Sequence, residues 1–125
     1  MNNNQIWVEI VGDIVVARVR GAVTEAVVVE CQQRIIQLLQ DTGSNKILYD
    51  ALEADRPTVE AALTQQMLTL KLKESRVRTA ILVSNSGVAY LARIAFGDGD
   101  YRVFYNDMAQ ALLWLSEYNA KTRSV

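Results

Sequence analysis

Two strand-like runs separated by a tight turn open the chain and restrict its architecture more than any other feature. Residues 6–20 read IWVEIVGDIVVARVR, and apolar side chains alternate on both sides of Gly12-Asp13. A Gly-Asp pair between two such runs is typical of a two-residue hairpin turn. After the hairpin, helix-like and strand-like patterns alternate. This order predicts an α/β domain with a mixed sheet rather than a wholly parallel one.

The remaining periodicities predict about four helices and about five strands, in the order β-β-α-β-α-β-α-β-α. The later strands are expected at Lys46–Asp50, Val77–Ser84 and Tyr101–Tyr105. Thr24 is the expected N-cap of the first helix and Gly43 its C-terminal stop. We expect Pro57 in the first turn of the second helix and Asn106 as the cap of the last. The expected inner face of the second helix comprises Val59, Ala62, Leu63, Gln66, Met67 and Leu70.

Composition indicates a single globular domain. The 125 residues are 50% hydrophobic and carry a net charge of -1, so we expect one domain over residues 1–125, with a core at about 5–118 and polar tails. The balanced charge argues against nucleic acid as a partner. No apolar run reaches the length of a membrane span, which argues against stable insertion. The opening MNNNQ lacks the features of a signal peptide, so a cytoplasmic location is expected.

The residue types needed for several kinds of catalysis are missing. The chain has no His and one Cys, which excludes the usual Ser-His-Asp, Cys-His and zinc arrangements. Cys31 lies in a helical apolar pattern and is expected in the core. The Gly97–Asp100 segment (GDGD) lacks the later ligands of a calcium loop and is expected to connect a helix to a strand. We therefore assign no catalytic residue, cofactor or metal site and expect a non-enzymatic protein.

Four stretches together carry a family resemblance: IWVEIVGDIVVARVRG, ILYDALEADRP, AILVSNSGVAYLARIAF and YRVFYNDMAQALLWL. In their order along the chain and their residue patterns, these stretches resemble the STAS domain of bacterial anti-sigma factor antagonists. The resemblance is to the small stand-alone branch of that superfamily. The resemblance implies a STAS-like fold and a regulatory protein-interaction module. It places the partner surface at Asp50–Thr58, flanked by Ser84–Gly87. The partner-binding residues expected there are Asp50, Glu53, Asp55, Arg56, Thr58, Ser84, Asn85 and Ser86.

The same loop departs from the family pattern at the phosphorylation site. Phosphorylated STAS proteins carry an acceptor Ser after an Asp at the start of the corresponding helix. Here Arg56 follows Asp55, and Thr58 is the nearest hydroxyl. The departure implies a module without the usual serine switch. From the residues themselves we expect Asp55 to cap the second helix, Arg56 to pair with its acidic neighbours, and Asp50 to accept backbone hydrogen bonds from the loop.

A second class of function is a small-molecule or lipid-binding domain. Aromatic residues concentrate in the last 36 positions, and the STAS superfamily is described as sharing features with lipid carriers. An aromatic-lined pocket with basic residues would suit a small apolar or anionic ligand. The ligand-binding residues expected on this reading are Tyr90, Arg93, Tyr101 and Phe104. A homodimer is also expected, with Trp7 and the hairpin edge as its contacts.

Overall fold

A computed structural model describes residues 5–72, 76–97 and 99–118, and within these ranges the elements follow the predicted order. The strands are β1 (Ile6–Val11), β2 (Ile14–Val19), β3 (Lys46–Asp50), β4 (Arg78–Val83) and β5 (Tyr101–Tyr105). The helices are α1 (Glu25–Thr42), α2 (Val59–Lys71), α3 (Ser86–Phe96) and α4 (Met108–Ser116). Most of the predicted polar tails, and one residue of the GDGD segment, lie outside the described residues.

The N-terminal hairpin forms as predicted. β1 and β2 pair in antiparallel fashion with Val11 opposite Ile14, so Gly12 and Asp13 are the two turn residues. Gly12 has φ +62°, which glycine adopts without the steric cost that a Cβ brings.

The strand order explains where the helices lie. The sheet runs β1-β2-β3-β4-β5, and every pair from β2 onward is parallel. Each crossover moves one strand in the same direction, so right-handed connections place α1, α2 and α3 on one face, the front. α4 follows the last strand and covers the back. The core accordingly divides by strand parity: Ile47 and Ile81 pack on the front, and Leu48 and Leu82 pack against α4.

The structure confirms both predicted ends of α1 and corrects the predicted starts of α2 and α4. Thr24 accepts a hydrogen bond from the Val27 amide at 3.3 Å, and Gly43 ends α1 at φ +73°. α2, however, is capped by Thr58, so neither Asp55 nor Pro57 has its predicted place.

The cap of α4 is Asp107, which accepts a hydrogen bond from the Gln110 amide at 3.1 Å. The predicted cap, Asn106, precedes it in the connecting turn with φ +49°. Asn106 and Asp107 are both favoured at N-caps, and composition does not distinguish between such neighbours.

The predicted inner face of α2 is correct at Ala62 and wrong for its large apolar residues. Val59, Leu63, Met67 and Leu70 are between 48% and 64% exposed, whereas Ala61, Ala62 and Gln65 are buried. α2 packs against α1 and α3 rather than directly on the strands. Small residues let it approach both neighbouring helices, and the large apolar side chains are left facing outward.

Candidate functional site

The loop that joins β3 to α2, residues 51–58, begins at a buried carboxylate. Asp50 Oδ1 accepts a hydrogen bond from the Leu52 amide at 3.1 Å, and Oδ2 accepts one from Arg18 Nε at 3.2 Å. Its predicted role in organising the following loop is confirmed. Because the side chain is almost wholly buried, Asp50 stabilises the loop from its buried side.

Backbone hydrogen bonds fasten this loop to the end of β2. The Gly21 amide donates to the Glu53 carbonyl at 3.0 Å, and the Asp55 amide donates to the Gly21 carbonyl at 2.9 Å. Gly21 has φ +74°, a conformation that favours glycine. The Glu53 carboxylate pairs with Arg20 Nε at 2.7 Å. The predicted local pairing of Glu53 with Arg56 is therefore wrong, because Glu53 turns toward β2.

Arg56 instead brings the β3–α2 loop to the start of α3. A Cβ at Gly87 would lie 2.5 Å from Arg56 Nη2, so the guanidinium rests in the space that glycine leaves open. Beside it, Asn85 caps α3 by accepting a hydrogen bond from the Val88 amide at 3.0 Å. The two segments predicted to form one surface are thus adjacent in the fold.

Seven of the eight predicted partner-binding residues are exposed, with Asp50 the exception. The exposed ones are Glu53, Asp55, Arg56, Thr58, Ser84, Asn85 and Ser86. The Thr58 hydroxyl also accepts a hydrogen bond from the Ala61 amide at 3.0 Å, so it has a structural role as the cap of α2.

An apolar stripe on α2 extends this surface and was missed by sequence reasoning. Val59, Leu63, Met67 and Leu70 follow directly on Thr58 and are exposed over three turns of the helix. We call these four residues the α2 stripe. Their helical spacing was visible in the sequence, but it was interpreted as a core-facing pattern.

The four predicted ligand-binding residues do not share a pocket. Tyr90 and Arg93 are exposed on α3. Phe104 lies on the back of the sheet with its ring 5.9 Å from that of Trp114. Tyr101 alone of the four lines a cavity on the front, where its ring lies 6.0 Å from that of Phe96.

Two features of the described residues concern metal binding and the state of Cys31. Among those residues, no three His, Cys, Asp or Glu side chains are grouped so that they could hold a metal ion. Cys31 is buried in the front core, and that burial raises the pKa of its thiol to about 12. Among the described helices, none has the length and apolar character required to cross a bilayer.

Known proteins resemble this chain in their fold. No protein-family model matches the chain, and no curated protein matches it. Among solved structures, SpoIIAA, an anti-sigma factor antagonist in its unphosphorylated form, is 16% identical with a TM-score of 0.65, and the match covers 90% of this chain and 99% of SpoIIAA. An anti-sigma factor antagonist of Mycobacterium paratuberculosis is 13% identical with a TM-score of 0.69, covering 90% and 93%.

A third solved structure is more similar in sequence. It is a DUF3478-family protein of Shewanella loihica, described as having a SpoIIAA-like fold; it is 26% identical with a TM-score of 0.59, and the match covers 92% of this chain and 98% of that one. The matches span nearly the full length of each relative. The chain therefore has the STAS-like fold of the anti-sigma factor antagonists, as the resemblance in its sequence predicted.

Proposed function

We propose that this protein is a non-enzymatic regulatory module that binds another protein. Its partner surface consists of the exposed residues of the β3–α2 loop, the start of α3 at Ser84–Ser86, and the α2 stripe. The relatives of the same fold are named for acting against an anti-sigma factor, which supports a regulatory protein as the partner.

The exposure of the α2 stripe is the observation that carries this proposal. Four large apolar side chains on one helix face lie open to water although small residues pack the opposite face. Contiguous apolar patches bordered by polar residues mark interaction sites on soluble proteins. Here Asp55 and Arg56 lie at the N-terminal end of the patch and provide charges of both signs, which suits a partner with an apolar contact and complementary charges.

The proposed module works without the usual serine switch. Residues 53–58 contain no Ser, and Arg56 follows Asp55 where the family pattern has the acceptor. The nearest hydroxyl, that of Thr58, is engaged as the cap of α2. We therefore propose that partner binding is controlled by means other than a serine phosphate in this loop.

Variants of the partner surface test the proposal. The tagged protein would be purified from its own cells after brief crosslinking, and the recovered proteins would be quantified by mass spectrometry. Leu63→Gln with Met67→Gln removes the centre of the α2 stripe, and Asp55→Lys with Arg56→Glu reverses the charges beside it. Because central apolar contacts dominate binding, we expect each pair to lower recovery of the partner by about tenfold or more.

Matched controls distinguish binding at this surface from nonspecific association. Leu113→Gln changes an equally exposed leucine on α4, and Glu9→Lys reverses an exposed charge on β1. Both controls should retain the wild-type recovery. A set of partners recovered equally with all four variants would refute the proposed surface.

A second candidate function, small-molecule binding, is favoured by a cavity that lies between the sheet and α2. The cavity is on the inner side of α2, opposite the α2 stripe. The two functions can therefore be tested separately.

A further inference from the structure

An apolar cavity of about 90 Å³ lies between the front of the sheet and the three helices that cover it. Ala61 and Ala62 of α2 and Ala92 and Ala95 of α3 line it, with Ile81 on the strand side. These alanines explain the space: the helices approach one another closely, but their short side chains do not fill the volume above β4.

A second cavity, of about 150 Å³, adjoins the first. Both are lined by Tyr49, Gln65 and Phe96, and the second is also lined by Gln32 and Tyr101. The first space is therefore almost wholly apolar, whereas the second has polar groups in its wall.

Those polar groups form a network that leaves one donor unused. Gln32 Oε1 accepts hydrogen bonds from the Tyr49 hydroxyl at 3.0 Å and from Gln65 Nε2 at 3.2 Å. Burial raises the pKa of the Tyr49 hydroxyl well above its usual range, so this group remains a donor. With Oε1 engaged by these two groups, the NH₂ group of Gln32 faces away from them.

The Gln32 Nε2 group is buried and has no hydrogen-bond partner among the described residues. The residue is 2% exposed. Buried polar groups are nearly always satisfied, because an unpaired one loses its bonds to water without replacement. An acceptor supplied by a bound molecule would remove this cost.

The cavity walls also define the charge of the molecule that fits. Among the described residues that line the two cavities, Asp100 is the only charged one, and it already pairs with Arg78 at 3.2 Å. A charged ligand would therefore meet no counter-charge among these lining residues, which is unfavourable wherever its charge is buried. These walls favour an uncharged molecule.

We propose that the two adjoining cavities act as one site for a small uncharged molecule whose apolar body lies against the alanines and whose single hydrogen-bond acceptor meets Gln32 Nε2. This inference rests on the second candidate function and concerns a site separate from the partner surface. A dry apolar cavity of about 150 Å³ is known to admit benzene. The alanine-lined cavity is smaller, at about 90 Å³, so a ligand of benzene size or somewhat larger has to extend into the second cavity as well.

Three probes of similar size test the inference: acetophenone, which has a carbonyl acceptor; ethylbenzene, which lacks it; and benzoate, which is charged. Each would be titrated into protein with ¹³C-labelled alanine methyl groups, observed by NMR. We expect acetophenone to shift the Ala62, Ala92 and Ala95 methyl signals. It should bind about tenfold more tightly than ethylbenzene, because one buried hydrogen bond is gained. Benzoate should be at least tenfold weaker than acetophenone.

Gln32→Met removes the NH₂ group and retains the length of the side chain. In this variant the preference for acetophenone over ethylbenzene should disappear. Gln33→Met is the matched control, because it makes the same change at the exposed neighbouring position. The comparison of the probes on the wild-type protein needs no variant, so the inference remains testable if Gln32→Met fails to fold.

The possible results separate the inference from the function on which it rests. Equal affinity for acetophenone and ethylbenzene would overturn the role of Gln32, although binding in the cavity would stand. Benzoate binding as tightly as acetophenone would overturn the uncharged ligand class. The absence of methyl shifts with every probe would refute both the inference and small-molecule binding, and would leave the partner surface unaffected.

Discussion

At the scale of single residues, Cys31 illustrates how burial determines chemistry. Burial raises the pKa of its thiol from the ordinary value of 9.0 to about 12, an effect larger than the opposing charge of Arg34. The thiolate is the reactive form of cysteine. Cys31 is therefore a core residue, as the sequence predicted, rather than a nucleophile.

This raised pKa predicts a loss of stability in alkali. Above pH 9.0 the unfolded chain releases the Cys31 proton while the native state keeps it, so the native state binds more protons and stability falls as pH rises. The Cys31 contribution is complete below pH 9.0 and is lost as pH approaches about 12. Its slope should approach about 1.4 kcal/mol per pH unit.

The measurement is urea denaturation of the wild type and Cys31→Ala between pH 8 and pH 10.5. The alanine variant is less stable at pH 8, and its deficit should shrink as pH rises, because it lacks the titrating thiol. Burial is the largest cause of the raised Tyr49 pKa and is present in both proteins, so Tyr49 adds a decline of the same sign to each and the difference reports chiefly on Cys31. A deficit that stays constant over this range would contradict the prediction.

Helix caps show which residue-level features the sequence could reveal. Thr24 stands alone before its helix and was predicted correctly. In Asp55–Thr58 and in Asn106-Asp107, several residues able to cap stand close together, and the predicted one was wrong each time. The first turn forms where tertiary packing places it, and local preference cannot determine that position.

At the scale of elements, the apolar pattern in the sequence of α2 does not mark the face of the helix that packs in the fold. The apolar spacing of α2 is clearly helical, yet the stripe it defines points outward. Because α2 packs on helices rather than on the sheet, its contact face is made of Ala61 and Ala62, which carry little hydrophobic signal. The resemblance therefore directs the proposed partner surface to the β3–α2 loop, but the apolar half of that proposed surface could not be derived from periodicity.

α4 is expected to be a major contributor to stability because it alone covers the back of the sheet among the described elements. Leu115 is wholly buried there, and Arg78 lies 4.2 Å from the centre of the Trp114 ring on the same helix. Leu115→Ala should lower the free energy of unfolding by about 2–5 kcal/mol, because it creates a cavity. Leu113→Ala, on the exposed side of α4, should cost less than about 1 kcal/mol.

Chemical denaturation of both α4 variants measures the difference. Equal losses for Leu115→Ala and Leu113→Ala would show that the back layer is not packed as described. A loss confined to Leu115→Ala would confirm that α4 belongs to the cooperative core.

At the scale of the whole molecule, the sheet ends in two edges that differ in side-chain character. β1 and β5 each have a neighbour on one side only. The back side of β1 carries Trp7 and Val11, both more than half exposed, because α4 covers β3, β4 and β5 and does not contact β1. An uncovered edge with exposed apolar side chains invites pairing with a second strand.

We expect two copies of the chain to associate through their β1 edges, which would continue the sheet across the pair and shield Trp7. Analytical ultracentrifugation at concentrations up to about 100 μM would then detect a dimer, a range suited to a modest interface. Trp7→Lys should shift the equilibrium to monomer, because an edge lysine opposes strand pairing. Tyr105→Lys, at a half-exposed aromatic on the opposite edge, should leave the dimer intact. A wild type that stays monomeric, or a dimer broken by Tyr105→Lys and not by Trp7→Lys, would rule out association through the hairpin.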